Sequence, residues 1–178
     1  MPLVPSLPLP FPTADFQARA LAWAAAFPHC AYYVPAAHFA GPGGPFQHVL
    51  AVSRRPGPRT LAALEIWLKM PAAAPRCGHL SYDLKNDLEA LASDHPDLLD
   101  WSALHFFEAD YWLLWQADGN VALHGPADDL PAVAAAILAT PAPTGPPAAG
   151  PAPALCPRLP RAEYLQAVEH IRADVRSG

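Results

Sequence analysis

The chain contains few cysteines, and their positions suit neither cross-linking nor metal binding. Cys30, Cys77 and Cys156 are the only three among 178 residues. They are an odd number, lie far apart and form no Cys-x-x-Cys pair, so the sequence indicates neither a disulfide framework nor a structural zinc site. This cysteine usage fits a reducing compartment, and we expect a cytoplasmic protein.

Positive charge is also scarce. Lys and Arg total 11 against 16 Asp and Glu, the formal net charge is −5, and only 15% of residues are charged. Nucleic-acid binding normally needs Lys and Arg clustered on one face, so we expect no nucleic-acid partner. The single basic cluster, "RRPGPR" at 54–59, is interrupted by Pro and Gly, which predicts a turn that carries solvated charges.

A long apolar run is missing as well. The most apolar early stretch, "ALAWAAAF" at 20–27, is far shorter than the roughly 20 residues that a membrane-spanning helix needs. No basic residue precedes Arg19, as a targeting signal would require. We therefore expect no membrane partner and no targeting segment.

Motifs for catalysis are absent too. The eight histidines show no His-x-His, His-x-x-x-His or His-Glu-x-x-His spacing, and "GPGG" at 41–44 lacks the Lys and the helix of a phosphate-binding loop. His79, Ser81 and Asp83 lie within five residues of one another. Side chains two apart on a strand stand side by side and cannot converge as a catalytic triad does. The residues thus predict no catalytic group and no metal site.

Proline, by contrast, is abundant, with 24 residues in the chain. Five lie in 1–12 and eight in 141–160. Because Pro fixes φ and lacks an N–H, both stretches favour extended polyproline II over a strand or a helix. The chain therefore divides into a Pro-rich N-terminal segment at 1–12, a domain at 13–140, a linker at 141–160 and a helix at 161–178.

Helical and strand patterns alternate through the central domain. Apolar spacing predicts a helix over about 14–26, capped by Thr13, and another in "TLAALEIWLKM". The aromatic and β-branched runs "CAYYVPA" and "HVLAVSR" predict two strands. "CGHLSY" predicts a third strand, which runs into a helix capped by Asp83.

The second half of the domain predicts a hairpin and a helix. "ADGN" at 117–120 is typical of a turn between the strands "ALHFFEADYWLLWQ" and "VALHG". The first strand is apolar on both faces and should be buried on both sides. Its residues predicted to share one face are Phe107, Ala109, Tyr111, Leu113 and Trp115. "DLPAVAAAILAT" predicts a helix, so the fold class is α+β, with mostly antiparallel sheet and covering helices.

The end of the chain predicts an amphipathic helix. Its apolar residues recur at helical spacing, namely Tyr164, Val168, Ile171 and Val175. A helix with such a stripe needs a surface on which to bury it. We therefore expect this helix to belong to a further domain.

The stretch "GHLSYDLKNDLEAL" at 78–91 carries a family resemblance. With the order of elements around it, it resembles the N-terminal domain of component I of the chorismate-utilising synthases, which are anthranilate synthase and aminodeoxychorismate synthase. The matching residues are Gly78, Ser81, Tyr82, Asp83, Leu84 and Glu89. "YDLKN", followed later by Phe106 and Phe107, resembles the aminodeoxychorismate branch in particular.

The tail "YLQAVEHIRADVRSG" resembles the helix that opens the catalytic domain of these enzymes. The resemblance implies a truncated N-terminal part whose chorismate-binding domain, with its Mg²⁺, is missing, and it implies a glutamine amidotransferase subunit as partner. The complete enzyme would aminate chorismate to 4-amino-4-deoxychorismate for 4-aminobenzoate and folate synthesis. This chain alone would hold no cofactor and would be inactive.

The resemblance also assigns Ser81, Tyr82 and Asp83 to an effector pocket between the sheets, as ligand-binding residues. Feedback-regulated anthranilate synthases carry a Leu-Leu-Glu-Ser-like motif on an early strand, and the corresponding "AYYVPAAHF" has neither the Glu nor the Ser. We therefore expect no tryptophan inhibition and favour the folate branch. Anthranilate synthase component I is the alternative enzyme, and a non-catalytic truncated or regulatory module is the alternative of a different class.

Overall fold

The computed structural model describes residues 4–9, 15–34, 46–89, 101–116, 119–143, 157 and 159–177. The chain divides into two compact units, residues 1–144 and residues 145–178. The first unit is an α+β domain built on antiparallel sheets. The predicted fold class is therefore confirmed.

The described residues include seven strands. They are β1 (Ser6–Leu9), β2 (His29–Tyr33), β3 (Phe46–Ser53), β4 (Arg76–Leu80), β5 (Leu104–Glu108), β6 (Tyr111–Gln116) and β7 (Val121–His124). Five of them form one antiparallel sheet in the spatial order β1-β7-β6-β3-β2, and β4 pairs with β5 in a second, smaller sheet. β6 and β7 form the predicted hairpin, in whose turn Gly119 adopts a φ of +84° that favours glycine.

The helices fall between the strands as the apolar spacing predicts. They are α1 (Phe16–Ala24), α2 (Leu61–Lys69), α3 (Lys85–Glu89), α4 (Leu130–Ala139) and α5 (Arg161–Ser177), with a 3₁₀ turn at Tyr82–Leu84 before α3. α2 begins after Thr60, whose hydroxyl accepts a hydrogen bond from the Ala63 backbone N–H at 3.2 Å. Such a cap satisfies one of the unpaired donors at the start of a helix.

One face of the large sheet packs against α1 and α4. Phe16, Ala20, Leu113 and Ile137 belong to this cluster and are at most 2% exposed. Complete burial of a large apolar side chain contributes about 1.5–3 kcal/mol relative to leaving it in water. This helix-on-sheet layer is therefore the main apolar core of the domain.

The opposite face of the large sheet packs against the small sheet. Ala51 and Trp112 of the large sheet cluster there with Cys77 and Phe107 of the small one. Beyond the small sheet, α2 and the 3₁₀ turn pack on its other face through a third cluster. The buried members of that cluster are Leu64, Leu84 and Leu104. The domain is thus layered as helices, large sheet, small sheet and helix.

The segment predicted as one long hairpin arm is two strands in different sheets. β5 pairs with β4, β6 pairs with β3 and β7, and the chain crosses between the sheets at Ala109 and Asp110. Phe107 therefore faces the gap between the sheets, whereas Leu113 and Trp115 face the helices. The prediction of one continuous face was wrong, because the crossing interrupts the alternation. β6 itself is buried on both sides, as predicted.

Asp110 fixes this crossing to the end of β3. Its Oδ2 accepts hydrogen bonds from the Arg54 backbone N–H at 2.7 Å and the Ser53 hydroxyl at 3.1 Å. Its Oδ1 accepts from the Arg55 Nε at 2.9 Å, and its own N–H donates to the Val52 carbonyl at 2.9 Å. Partial burial raises the pKa of the Asp110 carboxyl, but these hydrogen bonds outweigh burial and hold the pKa below its ordinary value.

The N-terminal prolines do not prevent a strand. Ser6–Leu9 pair with β7, with Leu7 opposite Leu123 and Leu9 opposite Val121, and Leu9 is only 8% exposed. An edge strand is hydrogen-bonded on one side only, and it can therefore accommodate a proline. The prediction that proline excludes a strand from this segment was wrong for residues 6–9.

The predicted helix caps differ from those in the structure. α1 begins after Asp15, and Thr13 lies outside the described residues. Asp83 does not cap a helix, because the 3₁₀ turn already begins at Tyr82 and includes Asp83. This earlier start brings Leu84 into the core, where it is 7% exposed. The prediction of an Asp83 cap was therefore wrong.

The second unit contains α5, and no residue of this helix is buried. Tyr164, Ile171 and Val175 are 56%, 60% and 77% exposed. The predicted C-terminal helix is thus present, and its apolar stripe faces solvent. Among the helices of the described ranges, none has the length and apolar character required to cross a bilayer.

We expect Asp110→Asn to lower the free energy of unfolding by about 1–3 kcal/mol at neutral pH. The amide would lose the charge and half of the acceptor capacity that binds Ser53, Arg54 and Arg55. Urea unfolding followed by circular dichroism measures the change. Asp128→Asn, at an exposed position, is the control and should change stability by less than about 0.5 kcal/mol.

Acid unfolding of the same variants gives the sign of the effect. Because the folded-state pKa of Asp110 is lowered, its contribution is fully present above the unfolded value of about 3.9 and is lost as pH falls through the folded pKa. Wild-type stability should therefore fall below about pH 4 more steeply than that of Asp110→Asn. Equal slopes, or equal stability at neutral pH, would contradict this role.

Candidate functional site

The corner that carries the family resemblance separates its three predicted ligand-binding residues. Tyr82 is 83% exposed, and Lys85 Nζ lies 4.7 Å from its ring centroid. The Asp83 carboxylate lies 3.4 Å from the same ammonium group. Ser81 donates its N–H to the Ala103 carbonyl at 2.8 Å, and its hydroxyl is buried with no hydrogen-bond partner among the described residues. Ligand binding by these three residues stays a prediction.

A polar cavity of about 130 Å³ lies elsewhere, between the start of β2, the turn after β3, and β5. Its lining residues are His29, Pro56, Gly57, Pro58, Arg59, Ser102, Leu104, His105 and Phe106. None of these described lining residues is acidic. Since a water molecule takes about 30 Å³ of liquid volume, the cavity has room for only a small group.

Gly57 lets the turn after β3 lie directly against β5. A Cβ atom at this position would lie 2.1 Å from the Phe106 carbonyl oxygen and 3.2 Å from the Phe107 Cα. No side chain can occupy that space unless the backbone moves. The absence of a side chain at Gly57 therefore closes one wall of the cavity and brings Arg59 to its rim.

Three histidines meet beside the cavity. The ring centroids of His29 and His105 are 5.2 Å apart, and the rings of His79 and His105 stack at 5.9 Å. The Nδ1 atom of His29 is buried and has no hydrogen-bond partner in the described part of the chain. A buried polar atom without a partner is uncommon in proteins and requires a water or a ligand to satisfy it.

The electrostatics of the cavity disfavour additional positive charge. The pKa of His105 is lowered, chiefly by burial and then by the neighbouring His29, His79 and Arg59. Each of these three neighbours carries or can acquire a positive charge, so protonation of His105 adds a like charge. The cavity is therefore suited to an anion or to proton exchange.

Sequence spacing alone did not reveal this cluster. The three histidines lie on three different strands, and no two of them are close in the chain. Only the antiparallel register of β4 and β5 places His79 directly opposite His105. The usable signal was one histidine in each of two predicted strands, and it required the pairing of those strands to be known.

A second cavity of about 290 Å³ lies near Trp112. It also includes Arg55, Glu108 and Asp110, but Asp110 is bonded to Arg55, and Glu108 lies 3.3 Å from Arg76 Nε. These charged groups hold the fold together, and the remainder of the wall is mainly apolar. The histidine-lined cavity is therefore the better candidate site.

Metal binding has no geometric support in the described ranges. There, no three His, Cys, Asp or Glu side chains lie close enough to one another to hold a metal ion. The nearby Arg59 would also repel a cation at the histidine-lined cavity.

We expect Gly57→Ala to lower the free energy of unfolding by about 1–3 kcal/mol, because the added methyl group forces the turn away from β5. The NMR signals of the His29 and His105 rings should shift as the cavity opens. Gly119→Ala is the control: a Cβ there meets open space but strains the positive φ. It should reduce stability without shifting either ring. Unchanged ring signals in Gly57→Ala would contradict the proposed role of the turn.

Neither protein-family models nor curated proteins give a match to this chain. The family resemblance thus depends on the residues of the Gly78–Glu89 stretch and on the C-terminal helix. Function has to be argued from those residues and from the surfaces that the structure leaves uncovered.

Proposed function

We propose that the chain is the N-terminal part of an aminodeoxychorismate synthase component I. The complete enzyme aminates chorismate to 4-amino-4-deoxychorismate, with ammonia from a glutamine amidotransferase subunit. By the resemblance, the residues that bind chorismate and Mg²⁺ belong to the catalytic domain. The role of this chain is to pack against that domain and to frame its cleft.

The observation that carries this proposal is a set of uncovered apolar side chains on the small-sheet side of the domain. Seven large apolar residues between positions 66 and 101 are 52% to 83% exposed: Ile66, Leu68, Met70, Leu80, Tyr82, Leu88 and Trp101. Surfaces rich in exposed large apolar side chains are typical of interaction sites. Tyr82, from the stretch that carries the resemblance, is the most exposed of the seven.

The C-terminal helix supports the same interpretation. The apolar stripe of α5 is exposed along its length, including Tyr164 and Val175. A stripe of this kind stabilises a protein only when another surface covers it. In the family that the chain resembles, the corresponding helix opens the catalytic domain.

The tyrosines of the β2 stretch favour the folate branch over the tryptophan branch. The Tyr32 hydroxyl lies 2.8 Å from His48 Nδ1, and the Tyr33 hydroxyl accepts from the Gly78 N–H at 3.0 Å. Both side chains therefore serve contacts within the domain, in the stretch where feedback-regulated anthranilate synthases carry their tryptophan-binding motif. Anthranilate synthase component I is the second candidate.

Extension of the reading frame tests the proposal. The coding DNA is sequenced beyond codon 178, the in-frame product is expressed, and it is supplied with chorismate, ammonium and Mg²⁺. We expect 4-amino-4-deoxychorismate, detected by mass spectrometry, and no chorismate consumption by residues 1–178 alone. Anthranilate as the product, with inhibition by tryptophan, would favour the second candidate. No chorismate consumption by the extended protein would overturn the proposal.

A pair of variants tests the framing role. Ile66→Asp places a charge on the uncovered side, and Ala135→Asp places one on an exposed position of α4 in the opposite layer. In the extended enzyme we expect Ile66→Asp to reduce kcat/KM at least about tenfold, equivalent to about 1.4 kcal/mol of lost interaction. Ala135→Asp should leave it unchanged. Equal effects of the two variants would count against a docking surface at α2.

A further inference from the structure

We propose that the cavity lined by His29, Arg59 and His105 binds a small oxyanion, a carboxylate or a phosphate group. This site is independent of the proposed synthase function. It belongs to the described domain itself and needs no second domain.

The shape of the charge distribution is the first argument. Arg59 brings a permanent positive charge from the turn after β3, while β2 and β5 contribute His29 and His105. Arg and protonated His donate charge-assisted hydrogen bonds to carboxylate and phosphate oxygens. Because none of the described lining residues is acidic, the positive groups are not neutralised within the wall.

The unpaired nitrogen of His29 is the second argument. Its Nδ1 is buried in the wall and lacks a hydrogen-bond partner among the described residues. An oxyanion in the cavity would supply an oxygen to this atom when it carries a proton. One ligand would thus satisfy a buried donor and neutralise the positive groups around it.

Protonation should be coupled to binding. The groups that face His105 are His29 from β2, Arg59 from the turn and His79 from β4, and all of them oppose its protonation. A bound anion reverses the sign of the local potential and favours the protonated rings. Binding therefore takes up protons and becomes tighter as pH falls through the range in which histidine titrates.

The volume limits the ligand to a small group. About 130 Å³ is well below the volumes of sites that enclose drug-sized ligands, which are about 300–1,000 Å³. A free phosphate, a short carboxylate or the anionic end of a longer molecule would fit. A whole nucleotide or aromatic metabolite would not.

Sulfate titration followed by histidine ring NMR tests the proposal. Sulfate keeps the same charge between about pH 5.5 and 8, so any pH dependence comes from the protein. We expect saturable shifts of the His29 and His105 ring signals, a higher pKa for His105 with sulfate, and an affinity at least about tenfold greater at the lower pH limit. Absence of saturable shifts, or affinity independent of pH, would overturn the proposal.

Variants separate this site from general charge effects. Arg59 is exposed at the rim, so Arg59→Gln should fold normally and weaken sulfate binding about tenfold to a hundredfold. His105→Asn should remove the pH dependence of binding. Arg176→Gln and His170→Asn, on the exposed α5, are matched controls that should bind as the wild type does. Unchanged binding by Arg59→Gln would overturn the proposal.

Phosphate and malonate distinguish the two sources of the oxyanion. Both are titrated at one pH against wild type and Arg59→Gln. Tighter binding of phosphate assigns a phosphate group, and tighter binding of malonate assigns a carboxylate; either result, lost in Arg59→Gln, supports the site. Binding of neither probe would contradict it.

Discussion

The carboxylate of Asp110 is the interaction on which the arrangement of the two sheets depends. It binds the end of β3 at the point where the chain crosses from the small sheet to the large one. The turn that follows β3 begins at the residues that Asp110 holds, and Gly57 in that turn lies against β5. The same contact therefore aligns the turn, the crossing and the strand that together enclose the histidine-lined cavity.

Most of the elements, but not their arrangement, could be predicted from the sequence. The hairpin at Gly119 and the helices α1, α2, α4 and α5 follow from local spacing, which senses only neighbours in the chain. The crossing at Asp110 does not, because both strands are apolar and the change of sheet leaves the alternation locally intact. The edge strand at Ser6–Leu9 was missed because proline propensity outweighed a tertiary pairing that only β7 provides.

The candidate site shows the same limit. Sequence reasoning singled out Ser81, Tyr82 and Asp83, which are adjacent in the chain, and the structure separates Ser81 from the other two. The histidines that do meet are distant in the chain, and only the register of β4 with β5 brings His79 to His105. The proposed synthase role rests on uncovered apolar side chains and on the resemblance, whereas the proposed oxyanion site rests on side-chain geometry within one domain.

The pKa of His105, measured by NMR titration in the wild type and in Asp110→Ala, tests most directly whether one carboxylate assembles both the sheet crossing and the cavity. In the wild type we predict a pKa below the ordinary histidine value of about 6.5, because His105 is partly buried and faces other positive groups. In Asp110→Ala the turn should loosen, and the pKa should return toward that ordinary value. The same lowered pKa in both proteins, or an ordinary value in the wild type, would contradict the account.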